Sequence, residues 1–155
     1  MTPLFKKLNF KNHTAIVAIN DPKSFELELD AMKGITSSIN DIKKVKVIDF
    51  AMLFVTQQKQ IDVLIKEIYS KLKGYALLWF CYPKGTSKNY TCNFNRDTGW
   101  LSVAKYELEP VRMVAIDEDW SALRFRKLAF IKTITRRESH ALTKGAKERT
   151  TQKGK

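Results

Sequence analysis

Three short and almost wholly apolar runs constrain the fold of this chain more than any other feature. They span residues 13–19, 48–55 and 75–82 and read HTAIVAI, IDFAMLFV and YALLWFCY. Runs of this length are typical of β-strands, and strands without polar alternation are covered on both faces. The runs therefore predict buried strands of a parallel sheet.

Helical patterns separate these runs. One helix is predicted after Asp21, which is expected to cap it, and a longer one over residues 57–73, with Gly74 ending it. Residues 35–42 are ambiguous between a short strand and a turn. The apolar positions recur at helical spacings and are Phe25, Leu29 and Met32 in the first helix and Ile61, Leu64, Ile65, Ile68 and Leu72 in the second.

The second half of the chain predicts one more helix and a closing hairpin. The helix is expected over residues 96–108, and Pro110 is expected to break it. Residues 111–116 form a fourth apolar run. Residues 120–127 alternate after an acidic turn, which predicts a strand antiparallel to the one before it.

This order of elements predicts right-handed βαβ crossovers. We expect an α/β fold, a three-layer Rossmann-like sandwich with a mostly parallel sheet and an antiparallel C-terminal edge strand. The closing antiparallel strand is typical of the methyltransferase variant of that fold. Residues 1–130 are predicted to form a single domain and residues 131–155 a basic, flexible tail.

The charge of the chain is strongly basic and unevenly distributed. The formal net charge is +12, from 28 basic and 16 acidic residues. Nine basic and two acidic residues, a net +7, lie from Lys127 to the end. Because a basic balance attracts polyanions, weak nucleic-acid binding through the tail is one hypothesis, and a merely solubilising tail is the other.

Several classes of protein are disfavoured by what the sequence lacks. No apolar run approaches the roughly 20 residues of a membrane span, and no signal-peptide pattern is visible. We therefore expect a soluble, cytoplasmic domain without a membrane partner. The two cysteines, Cys81 and Cys92, have no CxxC spacing or histidine cluster beside them, so no metal site is predicted.

The loop after the third apolar run is the strongest candidate for ligand binding. Lys84, Gly85 and Ser87 combine a cation, a flexible backbone and a hydroxyl, which suits a phosphate or carboxylate. The alternative is a solvated turn. The loop after the first run, residues 20–23, lacks the glycines of a dinucleotide or S-adenosylmethionine site, which argues against binding of either cofactor and leaves the cofactor unknown.

Acidic residues and histidines offer little evidence of catalysis. Asp117, Glu118 and Asp119 could hold magnesium, but we favour a turn whose charge pairs with nearby arginines. His13 and His140 have no evident acid or nucleophile partner. The sequence therefore favours a protein without catalytic activity over an enzyme, and catalytic residues remain unknown.

A family resemblance emerges from the second half of the chain. The residues that carry it are Tyr82-Pro83-Lys84-Gly85-Thr86-Ser87, Asn95-Arg96-Asp97, Trp100 and Val114-Ala115-Ile116-Asp117-Glu118-Asp119-Trp120-Ser121-Ala122-Leu123-Arg124-Phe125-Arg126. Over residues 8–127 the chain resembles a bacterial family of small Rossmann-like domains known only as domain of unknown function number three-zero-five-two. The resemblance implies the fold and marks Lys84, Asp97, Asp117, Trp120 and Arg124 as family-like positions. It implies no reaction, cofactor or substrate.

The leading functional hypothesis is a non-catalytic binding or interaction module. A pocket formed by Lys84, Gly85, Ser87, Asp97, Asp117, Trp120 and Arg124 would take a small anion or an acidic partner segment. The alternatives are a degenerate methyltransferase-like enzyme and nucleic-acid binding through the tail.

Overall fold

A computed structural model describes residues 1–94 and 97–131 of the chain. The strands in these ranges are β1 (Ala15–Ile19), β2 (Ser37–Ile39), β3 (Ile48–Phe54), β4 (Leu72–Pro83), β5 (Leu108–Ala115) and β6 (Trp120–Lys127). The α-helices are α1 (Pro3–Lys7), α2 (Glu26–Ala31), α3 (Gln58–Ile68) and α4 (Leu101–Ala104).

The six strands form one sheet in the order β2-β1-β3-β4-β6-β5. The first four strands of that order are parallel, and β6 is antiparallel to both of its neighbours. Because β4 and β5 are both antiparallel to β6, β5 at the edge runs parallel to β4. The predicted α/β fold, with its mostly parallel sheet and antiparallel closing hairpin, is confirmed, and β6 lies one position in from the edge.

Helices cover both faces of this sheet, as a three-layer sandwich requires. Alternate residues of the central strands enter two separate cores because successive side chains of a strand point to opposite faces. The core on the side of α1 and α2 includes Phe5, Met32, Phe50, Met52, Trp79 and Trp120. The core on the side of α3 and α4 includes Ile61, Ile65, Leu53, Phe80, Val103 and Phe125.

The helix predicted over residues 57–73 is shorter than expected. Helix α3 ends at Ile68, a single 3-10 turn follows, and β4 begins at Leu72. Gly74 therefore lies inside a strand, and the prediction that it ends the helix is wrong. Leu72 satisfies the helical spacing by coincidence, because pairing with Ile48 of β3 buries it in the sheet instead.

The helix predicted over residues 96–108 is also wrong in extent. Only Leu101–Ala104 is α-helical, and β5 already includes Pro110. Proline is tolerated there because β5 is an edge strand, and the pairing with β6 shifts register between Pro110 and Arg112.

The apolar residues of the N-terminal segment predict that it docks on the domain, and in the structure it does so as a short helix. The Thr2 hydroxyl accepts a hydrogen bond from the Phe5 amide, and Pro3 occupies the first turn. Phe5 is fully buried, with its ring centroid 6.1 Å from that of Phe50 on β3. The Trp79 indole also donates a hydrogen bond of 3.2 Å to the Leu8 carbonyl. The segment is therefore part of the core.

The predicted boundary between domain and tail lies at the limit of the described residues. Ile131 is the last of them, and the segment predicted to be a flexible tail otherwise falls outside. Among residues 1–94 and 97–131, no helix has the length and apolar character needed to cross a membrane.

Phe5→Ala should reduce the free energy of unfolding by about 3–5 kcal/mol, because it removes a fully buried aromatic side chain. Chemical denaturation followed by tryptophan fluorescence would measure the change. Lys7→Ala, at an exposed position of the same helix, should stay within about 0.5 kcal/mol of the parent. Equal stability of Phe5→Ala and the parent would show that α1 is not integral to the core.

Candidate functional site

The loops that follow β1, β2, β3, β4 and β5 all meet at one edge of the sheet. These strands are parallel to one another, so their carboxyl ends lie on the same side. Ligands of open α/β sheets bind outside this edge. Three clefts lined by residues of the described ranges open there, and together they form the candidate site.

The first cleft lies between the ends of β1 and β2 and is predominantly polar. Its volume is about 260 Å³. Asp21 and Glu26 contribute carboxylates, and Ser38 and Asn40 contribute a hydroxyl and an amide. Carboxylates in such a cleft suit cationic groups and sugar hydroxyls.

The backbone turns sharply as the chain leaves β1. Asn20 has a φ of 58°, a left-handed conformation for which glycine is the usual residue. Asp21 does not cap the following helix, contrary to the prediction. A 3-10 turn begins at Lys23 instead, Pro22 precedes it, and no side chain caps it. The Asp21 carboxylate is therefore not occupied as a helix cap, and it lines the first cleft.

Burial raises the pKa of the Asp21 carboxyl above its ordinary range. The negative charge of Glu26 raises it further, while a backbone hydrogen bond opposes the shift. Two carboxylates that repel each other beside a cleft would be relieved by a cationic ligand, because an opposite charge favours their ionised forms.

The second cleft lies on the other side of the β1 end, towards β3, and is mostly apolar. Its volume is about 250 Å³, and Asn20, Gln57, Val63 and Leu64 are among its lining residues. The start of α3 is held in place here because the Gln60 side-chain oxygen accepts hydrogen bonds from the Thr56 and Gln57 amides, at 2.7 and 3.1 Å.

The loop after β4 is fixed to the β5–β6 turn through Asp119. The Lys84 amide donates to the Asp119 carbonyl at 2.8 Å, and the Ser87 hydroxyl donates to the Asp119 carboxylate at 2.7 Å. Asn89 adds a bond of 3.2 Å to the same carboxylate. The structure thus brings Lys84 and Ser87 together, but it engages the Ser87 hydroxyl with an acid of the protein.

The third cleft lies beside this loop. Its volume is about 220 Å³, and its lining includes Lys84, Gly85, Tyr90, Thr91 and Cys92. Among the side chains that line the third cleft, Lys84 carries the positive charge.

Trp120 is buried behind the loop, with its ring centroid 4.9 Å from that of Tyr90 and 5.3 Å from that of Phe54. The Trp120 indole N–H is also buried and has no hydrogen-bond partner. A buried donor without a partner costs free energy, which a ligand atom could recover.

Asp117 shapes its own turn. Its carboxylate accepts hydrogen bonds from the Asp119 and Trp120 amides, at 2.8 and 2.9 Å. No group of three or more histidine, cysteine, aspartate or glutamate side chains could hold a metal ion in the described part of the chain. Asp97 is exposed in the turn before α4.

Arg124 does not lie with the other predicted site residues. It lies in the middle of β6, opposite Trp79 of β4 in the register. It lies four positions along β6 from Trp120, which is roughly 13 Å along the sheet. Alternation places it on the same face as Trp120 and Ala122, whose side chains belong to the core beneath α1 and α2.

The sequence pattern did not predict the first cleft, because the loop after β1 lacks the glycines of a cofactor site. Asp21 and Asn40 each follow the end of a parallel strand, by two residues and one residue respectively. Position at a strand end was the signal that could have found them, but β2 itself was ambiguous in the sequence.

Comparison with solved structures supports the fold. The chain is similar to a SAM-dependent methyltransferase from Aquifex aeolicus, at 12% identity and a TM-score of 0.57 over 79% of this chain and 86% of that one. It is also similar to the N-methyltransferase NodS from Bradyrhizobium japonicum, at 15% identity and a TM-score of 0.51 over 80% and 92% of the two chains. At these identities the likeness shows a Rossmann-like fold of the kind found in methyltransferases.

Comparisons of sequence add no family. No protein-family model matches the chain, and no curated protein is similar to it. The resemblance to the uncharacterised bacterial family therefore stays a prediction.

Asp119→Ala should lower the free energy of unfolding by about 1–2 kcal/mol, because it removes the acceptor of the Ser87 and Asn89 hydrogen bonds. Urea denaturation would measure the loss. Glu118→Ala, at the exposed neighbouring position, should change stability by less than about 0.5 kcal/mol. If both variants behave alike, Asp119 does not hold the loop.

Asp21→Asn should make the protein more stable at neutral pH. The folded-state pKa of Asp21 is raised, so the folded state binds more protons and stability falls as pH rises from the ordinary aspartate range through that raised pKa. The asparagine side chain does not ionise, so the variant does not lose this stability as the pH rises. Melting temperatures from pH 3 to 8 should show a gain that disappears at acid pH, where both forms are uncharged. A gain that is independent of pH would contradict this origin.

Proposed function

We propose that this protein is a methyltransferase-like protein that binds S-adenosylmethionine at the carboxyl edge of its sheet. The observation that carries the proposal is the first cleft, in which Asp21, Glu26 and Asn40 gather at the ends of β1 and β2. The similarity of fold to methyltransferases supports it.

The side chains of the first cleft fit the polar groups of S-adenosylmethionine. Its ammonium, sulfonium and two ribose hydroxyls suit carboxylate partners, whereas its own carboxylate would have to lie away from Asp21 and Glu26. Asp21 and Glu26 would meet these groups, and the charge of the ligand would lower the raised pKa of Asp21. The Asn40 amide adds a donor and an acceptor.

The glycines expected of such a site are absent, and Asn20 partly replaces them. Its left-handed φ of 58° gives the turn after β1 a conformation that glycine usually supplies. Each cleft is slightly smaller than the ~300 Å³ lower limit of ordinary ligand pockets. The first and second clefts flank the same β1 end, so we place the polar groups in the first and the base against the apolar second.

The bound cofactor would supply a transferable methyl group. The residues of this chain would bind and orient an acceptor, and the third cleft is where we place it. Lys84 would attract an anionic acceptor, and Tyr90 would help to orient it.

The hypothesis of a non-catalytic anion-binding module has less support. Ser87 already donates its hydroxyl to Asp119, whose carboxylate adds a negative charge beside Lys84. Arg124 lies in the middle of β6, outside this loop. The family resemblance is compatible with either function, since it implies no reaction.

Isothermal titration calorimetry with S-adenosylmethionine and S-adenosylhomocysteine would test the proposal. We expect measurable binding of both, and a melting temperature that rises with ligand concentration, because a ligand of the folded state stabilises it by mass action. Asp21→Asn should weaken binding of S-adenosylmethionine about tenfold, the effect of one charge-assisted contact.

Glu67→Gln is the matched control, since it removes an exposed carboxylate from α3 on the opposite layer. Its affinity should equal that of the parent. Absence of binding by either ligand, or equal weakening by both substitutions, would refute the cofactor site.

A further inference from the structure

Three arginines share one face of the β5–β6 hairpin. Arg112 and Arg124 are direct partners in the register, and Arg126 follows two residues along β6. Side chains two apart on a strand point to the same face, and direct partners have their Cβ atoms about 5 Å apart. We call this group the arginine patch.

The patch is electrostatically costly to the folded protein. Burial lowers the pKa of Arg124, and the charges of Arg126 and Arg112 lower it further. The Nε atoms of Arg124 and Arg126 are buried and have no hydrogen-bond partner. Like charges placed opposite each other in a sheet are destabilising, so core packing alone does not account for this arrangement.

One carboxylate of the described residues lies opposite the patch in the register. Glu109 is the register partner of Arg126 and is fully buried. Even if its charge is counted, a net positive charge remains on this face.

An exposed aromatic side chain borders the patch. Tyr75 is 66% exposed, and the Arg126 guanidinium lies 5.7 Å from its ring centroid. The Phe130 ring packs edge-on against Tyr75, with the centroids 4.3 Å apart. A supported aromatic face beside guanidinium groups is the combination that stacks a nucleic-acid base and binds its phosphates.

We propose that the arginine patch and Tyr75 bind single-stranded nucleic acid. Arg112, Arg124 and Arg126 would contact successive phosphates, and Tyr75 would stack against a base. The chain then continues from Ile131 into residues 132–155, which contain eight basic and two acidic residues, and this sequence would add to the attraction.

Fluorescence anisotropy with a labelled oligodeoxythymidylate of about 15 nucleotides would test this surface in the full chain. Arg112→Gln/Arg126→Gln should weaken binding about tenfold and reduce the slope of log K against log salt by about 1–2. Tyr75→Ala should weaken it about fivefold or more. Circular dichroism should show that the double variant is folded at the assay temperature, a necessary check because Arg126 lies opposite the buried Glu109.

Lys66→Gln/Lys105→Gln is the matched control. It removes the same charge from exposed positions on α3 and beside α4, on the opposite layer, and should weaken binding by about twofold or less. Equal losses in the two double variants would show binding by net charge alone and would overturn the proposal. Undetectable binding at low salt, tighter binding of a duplex of the same length, or no effect of Tyr75→Ala would also overturn it.

Discussion

Burial of β1, β3 and β4 on both faces fixes their register and thereby determines which loops meet at the carboxyl ends of these strands. Their side chains alternate between the core under α1 and α2 and the core under α3 and α4. If one strand slipped by one residue against its neighbour, its side chains would exchange the two cores, so the register is strongly specified. Parallel pairing then brings the carboxyl ends of the strands to one edge, where polar loops meet without having to be neighbours in the sequence.

The same sheet presents opposite charges in two places. The first cleft collects Asp21 and Glu26 at the carboxyl edge, whereas the arginine patch lies along the β5–β6 hairpin. Each group raises the free energy of the folded state, through burial and carboxylate repulsion in one case and through burial and guanidinium repulsion in the other. Such local conflicts within a consistent fold are expected where a protein binds something. A cationic nucleoside and a nucleic-acid strand would relieve them separately.

Periodicity predicted elements well where one pattern excluded the other. The runs at 13–19, 48–55 and 75–82 form β1, β3 and the central part of β4. A helix at the surface of a small domain needs a polar face, and these runs do not provide one. Periodicity predicted the wrong element where the helical and the strand patterns both fit. Leu72 continued the stripe of α3 yet belongs to β4, and Pro110, a helix breaker by itself, is accommodated on an edge strand.

The amino-acid sequence by itself determined the class of fold, because the alternation of buried strands and amphipathic helices leaves few ways to cover a parallel sheet. It also determined the basic character of the chain. Only the tertiary structure decided which side chains meet. Asp119 became the partner of Ser87, and Arg124 joined Arg112 instead of Lys84, because strand register and the position of β6 set distances that spacing along the chain does not encode.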